Sequence, residues 1–205
     1  MVIIIFSIIV LLFSTIIHEI AHGTMAYRLG DSTAKDAGRL TLNPLKHLDF
    51  VGSFMVPLFL LVATLGRGPI LMWAKPVPIN PYNFRDQKWG TIKVSLIGPA
   101  MNFLLAIIFG LAIRFLDLGG TLALLFGLIV IYNFIWGIFN LIPIPPLDGS
   151  WVLLRFLPKS AGRVVFSLQQ YGLIILLAFI FFGGLDWVFR VSAILFTLIT
   201  GRIFI

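Results

Sequence analysis

Apolar residues run almost unbroken over about 1–27, 51–73, 92–113, 121–142, 164–182 and 186–204, with polar, proline-rich or glycine-rich stretches between them. Each run approaches or exceeds the ~20 residues that a helix needs to cross the apolar core of a bilayer. The pattern predicts an all-α polytopic membrane protein. No basic residue precedes the first run and no small-residue cleavage site follows it, so it reads as a first span and not as a cleaved leader. The run at 51–73 is less regular, because Pro57, Arg67 and the Gly-Arg-Gly-Pro break at 66–69 interrupt a straight helix. Two connections have a character of their own. "GRLTLN" at 38–43 alternates and carries β-branched content, which predicts a small membrane-associated β element, while "WAKPVPINPYNFR" at 73–85 is proline-rich and extended.

Charge bears on how the runs are threaded. If 51–73 enters and leaves on one side, thirteen Lys and Arg share a face and only Arg114 and Arg190 lie opposite; if it spans, the split is roughly nine to six. Basic residues accumulate on the cytoplasmic side. The first arrangement is therefore expected: about five transmembrane helices plus a re-entrant or hairpin element, with six spans as the alternative. It places the N-terminus outside, the C-terminus in the cytoplasm and the chain in the cell membrane. A hydrophobic share of 60%, a charged share of 11% and a mean hydropathy of +1.06 agree with a membrane protein. The 205 residues hold these helices and short loops, so residues 1–205 are expected to form a single domain. A net charge of +7 flanks the spans with no basic, aromatic-interleaved run, which points to anionic lipid and not to nucleic acid. Cysteine is absent, leaving His, Asp and Glu as the strong metal ligands.

Chemistry interrupts the first span at "HEIAH". His18 and His22 are four residues apart, so a helix turns both imidazoles to one face, and Glu19 sits about 100° around it. Zinc held by two neutral imidazoles and a carboxylate keeps a place for water and lowers its pKa toward ~7, and a neighbouring carboxylate takes the proton. Polar side chains at membrane depth are costly and mark function. For the third ligand, Asp148 is the candidate that arrives at the right end. Helix 121–142 runs in the same direction as the first span, and Pro143, Pro145 and Pro146 stop it and force an extended path. The alternative is that "PPLDG" is only a turn with Asp148 as a cap. Asn102, in "GPAMN", and Asn140 sit in apolar surroundings, where either could hold a peptide carbonyl or its oxyanion, or could only bridge helices. His47, in a polar connection, reads as a solvated or headgroup-contacting residue.

Together these residues resemble the site-2 protease family of intramembrane zinc metalloproteases. "HEIAH" at 18–22, "GPAMN" at 98–102 and "NLIPIPPLDG" at 140–149 appear in the family's order, and "GRLTLNPLKHLD" and "WAKPVPIN" are similar to its minimal branch. The resemblance implies one zinc per chain held by His18, His22 and Asp148, with Glu19 as general base and Asn140 as a substrate or transition-state contact. It also implies a transmembrane protein or peptide as substrate, cut within the bilayer near its cytoplasmic side. The competing reading is a membrane zinc transporter or receptor using the same three ligands without proteolysis.

Overall fold

The computed structural model describes residues 2–48, 55, 58–59, 62 and 75–203. Among them run seven α-helices: α1 (Val2–Arg28), α2 (Thr33–Asp36), α3 (Gly90–Phe115), α4 (Gly120–Leu141), α5 (Asp148–Phe156), α6 (Gly162–Phe181) and α7 (Gly184–Thr200). Helices α1, α3, α4 and α6 are long and apolar enough to cross a membrane. The protein is a polytopic helical membrane protein. Helix α7 has 17 residues and rises about 25 Å. The element expected at 51–73 lies largely outside the described residues.

Between helices in lipid, association rests on close packing, so small residues mark the contacts. Gly98, Asn102, Ala106 and Gly110 recur at four-residue spacing on the buried face of α3, and Val188, Ser192, Phe196 and Thr200 do the same on α7. Ala106, Val188 and Phe196 from these faces pack with Val130, Ile131, Phe134 and Ile138 of α4 in the main core. Helix α6 is different: its buried residues are Gly172 and Leu176 alone, and Gly172 lies so close to Pro145 that a side chain there would collide with it.

Helix direction follows from the contacts. Arg114, at the end of α3, donates from Nη1 to the carbonyl of Leu198 at 2.9 Å, and Ile3, Gly120, Phe196, Arg202 and Ile203 line one cavity. Helices α1 and α4 thus run one way and α3 and α7 the other, and the two ends of the described chain meet at one end of the bundle. Helix α7 packs antiparallel to α4 and brings Arg202 to the level of Arg114.

No strand is found among the described residues. Backbone groups of "GRLTLN" are engaged in local turns and by single side chains: the Arg39 N–H donates to the Ala34 carbonyl, His47 Nε2 bonds the Thr41 carbonyl at 2.7 Å, and Thr41 Oγ1 accepts the Asn43 N–H. His47 itself is fully buried, which corrects its reading as a solvated residue. Its carbonyl accepts the Lys75 N–H at 2.8 Å, tying the loop after α2 to the segment before α3.

Candidate metal centre

Helix α1 carries His18 and His22 on its buried face, where α3 crosses it. His18 donates from Nδ1 to Asn102 Oδ1 at 2.7 Å, and His22 donates from Nδ1 to the Val94 carbonyl at 2.6 Å. Each bond assigns the proton to Nδ1 and leaves an Nε2 lone pair. The two Nε2 atoms are 2.9 Å apart, and Asp148 Oδ2, at the start of α5, stands 3.0 Å from one and 3.2 Å from the other. Two lone pairs and a carboxylate aimed at one spot repel each other unless a cation lies between them. Bonds of ~2.0–2.1 Å in a tetrahedral set separate ligand atoms by ~3.3 Å. The cluster His18, His22 and Asp148 therefore fits one zinc ion.

Asp148 reaches this depth through close backbone contact. Pro143 to Pro146 carry the chain out of α4, and Gly149 sits against the Leu141 and Ile142 carbonyls, where a side chain would meet Ile142 O at 2.8 Å. Helix α5 starts there, with its first residue facing the histidines.

Glu19 faces a cavity of about 450 Å³ that His18, His22, Asp148, Asn140 and Trp151 also line. Its Oε2 accepts the Val77 N–H at 2.8 Å. Val77 belongs to the extended 75–80 segment, in which Pro76 and Pro78 offer no N–H. That segment lines the cavity with Pro76, Val77 and Ile79 and is pinned along its length. Arg39 Nη2 donates to the Lys75 carbonyl at 2.6 Å, and buried Asp31 accepts the Asn80 N–H at 2.7 Å and Asn83 Nδ2 at 2.8 Å. Burial pushes the Asp31 carboxyl up, but the hydrogen bonds from Thr33, Asn80 and Asn83 outweigh it and hold the group below the usual carboxylate range.

Comparison with known proteins adds to this geometry. The chain is 34% identical over 181 residues to "Putative zinc metalloprotease YwhC" of Bacillus subtilis, covering 84% of this chain and 78% of that protein. The chain belongs to peptidase family M50, the site-2 protease family. The family's profile matches residues 116–183, a stretch with Asn140 and Asp148 but without the histidine pair. A second relative, "Putative zinc metalloprotease Rip2" of Mycolicibacterium smegmatis, is 31% identical over 188 residues, covering 87% of this chain and 68% of its own length. No solved structure matches the chain. As an M50 member the protein is a site-2-protease-like metalloprotease of the membrane.

The two asparagines read from the sequence occupy different places. Asn140 lines the cavity, and its Nδ2 donates to the Trp136 carbonyl, leaving Oδ1 and one N–H for the cavity. Asn102 is fully buried behind His18, so its amide faces the imidazole and not the cavity. Sequence reasoning passed over three other residues here. Gly98 lies against both imidazoles, while Asn133 and Ser14 stand behind Asn102. A polar side chain in an apolar span was the available signal for Asn133 and Ser14; for Gly98 there was none beyond its place in "GPAMN".

Proposed function

We propose that this chain is a single-domain intramembrane endopeptidase, hydrolysing peptide bonds within or beside the membrane-spanning segments of other proteins. The observation that carries the reading is the convergence of His18, His22 and Asp148 on one wall of a cavity that also holds Glu19, at the end of an apolar helix. Zinc bound there supplies a Lewis acid and brings the pKa of water to ~7. Glu19 uses the carboxylate oxygen not engaged by Val77 to take a proton from the attacking water and passes it to the leaving nitrogen. Asn140 offers its free N–H to the scissile carbonyl as charge develops on its oxygen. A helical substrate must unwind before it is cut, because its backbone bonds shield the peptide from attack. The extended 75–80 segment supplies the wall along which the unwound stretch lies.

The same reading orients the protein. Arg28, Lys35, Arg39, Lys75, Arg85, Lys88, Lys93 and Arg155 gather at the metal end of the bundle, which supports a cytoplasmic metal end with both ends of the described chain outside. On this reading α7, despite its length, crosses with α1, α3 and α4, packing against the last two.

The test uses purified protein in lipid vesicles with a transmembrane substrate. Glu19→Gln is expected to keep one zinc per chain and lose roughly 10²–10⁴-fold in cleavage rate. Cleavage at the wild-type rate would overturn the reading, and metal transport that persisted in Glu19→Gln without any cleavage by the wild type would point to a carrier.

A further inference from the structure

Behind His18 a chain of buried polar groups runs through three helices. Asn133 of α4 donates from Nδ2 to the Ile129 carbonyl at 2.9 Å and to Ser14 Oγ of α1 at 2.9 Å. Its Oδ1 accepts Asn102 Nδ2 of α3 at 2.9 Å, and Asn102 Nδ2 also approaches the Ser14 carbonyl at 3.4 Å. Asn102 and Asn133 are both fully inaccessible, and Ser14 is buried.

The order of donors and acceptors in this chain is fixed from its far end. A backbone carbonyl can only accept, so Ile129 obliges Asn133 to turn its NH₂ group that way and its oxygen toward Asn102. That oxygen and the Ser14 carbonyl together oblige Asn102 to present its NH₂ to them and its own oxygen to His18. An amide oxygen at His18 Nδ1 requires a proton there, which leaves Nε2 bare for a metal. If the Asn102 amide were free to rotate by 180°, its NH₂ would face Nδ1, the imidazole proton would move to Nε2, and the ligand would be lost.

We propose that Asn133, with Ser14, is a positioning residue of the metal centre: it locks the Asn102 amide in the orientation that holds His18 in its zinc-binding tautomer. The proposal rests on the metalloprotease reading only for the identity of the metal, since its readout is zinc binding and not cleavage. Outer partners of this kind typically affect metal affinity by about 10–100-fold when removed. Leucine has the branched shape of asparagine, with bulkier methyl ends, and cannot accept from Asn102.

The experiment measures zinc affinity by chelator competition, and the visible absorption of the cobalt-substituted protein, for purified wild type, Asn133→Leu, Asn102→Leu and the double variant. Thermal unfolding of each metal-free protein follows the fold separately. Asn133→Leu is expected to lose about 10–100-fold in affinity and to shift the cobalt bands. In the Asn102→Leu background the same change should add less than about twofold, because a residue acting through Asn102 has nothing left to act on. Unchanged affinity in Asn133→Leu, or an equal further loss in the double variant, would overturn the proposal. Should Asn133→Leu fail to fold, Ser14→Ala decides by the same cycle: a several-fold loss that disappears beside Asn102→Leu supports the lock, and wild-type affinity refutes it.

Discussion

A single methyl group at Gly98 should dismantle the metal centre. A Cβ built there would stand 2.6 Å from His22 Cε1 and 2.7 Å from His18 Cε1, with His22 Nε2 closer still. Carbon atoms rest at ~3.5–4.0 Å, so each ring would have to retreat by about 1 Å or α3 would have to shift outward. Neither ring is free to do so. His18 and His22 are held through Nδ1 by bonds of 2.7 Å and 2.6 Å, and withdrawal stretches both while dragging Nε2 off the metal position. Overpacking of this kind costs about 1–3 kcal/mol. Taken out of zinc binding, that is a loss of about five- to 150-fold in affinity, since ~1.4 kcal/mol is tenfold. Chelator competition on purified Gly98→Ala reads the loss directly. Gly127→Ala serves as the control, because a Cβ there meets Phe196 only at an ordinary 3.7 Å. Wild-type zinc affinity in Gly98→Ala would refute the placement of α3 against the histidines.

Three further changes probe the surroundings. Gly149→Ala puts a methyl group against the Leu141 and Ile142 carbonyls, which are backbone and cannot swing aside; it should cost more than about tenfold in zinc affinity while helix content by circular dichroism stays unchanged, and retained affinity would mean that α5 is seated differently. Val77→Pro removes the donor to Glu19; zinc content should hold while kcat falls by about tenfold or more, and an unaltered kcat would show that this contact does not position the base. Asp31→Asn should destabilise the protein by about 1–3 kcal/mol and expose 75–85 to proteolysis. Because the folded Asp31 carboxyl titrates below its unfolded value, its contribution is complete above the ordinary carboxylate range, near pH 4, and is lost as pH falls toward the depressed folded value. Protease protection of 75–85 that does not change between pH 7 and pH 3 would contradict this role.

What the sequence revealed followed from local spacing. His18 and His22 could be paired because a four-residue interval means one helix face, and Asp148 could be joined to them because proline stops and helix direction fix its end of the bundle. The rest depends on who stands opposite. Asn133 meets Asn102 across 31 positions and Asp31 meets Asn80 across 49, and no periodicity encodes such pairs. The alternation in "GRLTLN" suggested a strand, but its backbone is held by local turns and single side chains. Hydropathy weighs every apolar run alike, whereas packing distinguishes α7, with Val188, Ser192, Phe196 and Thr200 in register against α3 and α4, from α6, which buries Gly172 and Leu176.

The polar atoms of the site also explain how three spans find a common register. Apolar helices in lipid have little to choose between one sliding position and the next, since every face they present is alike. Ser14, Asn102 and Asn133 remove that freedom, because only one offset among α1, α3 and α4 satisfies all their donors and acceptors at once, and each unmet group would be buried in hydrocarbon. That offset is also the one that puts His18 beside Asn102 and His22 beside Val94. The network that aligns the helices is thus continuous with the one that aims the ligands, so the geometry needed for metal binding is set by the packing of the spans before a metal arrives. A separate solution serves Asp148, which comes from outside the spans and depends on the proline path and on Gly149. Two independent devices, one within the helices and one at their end, converge on a single ion position.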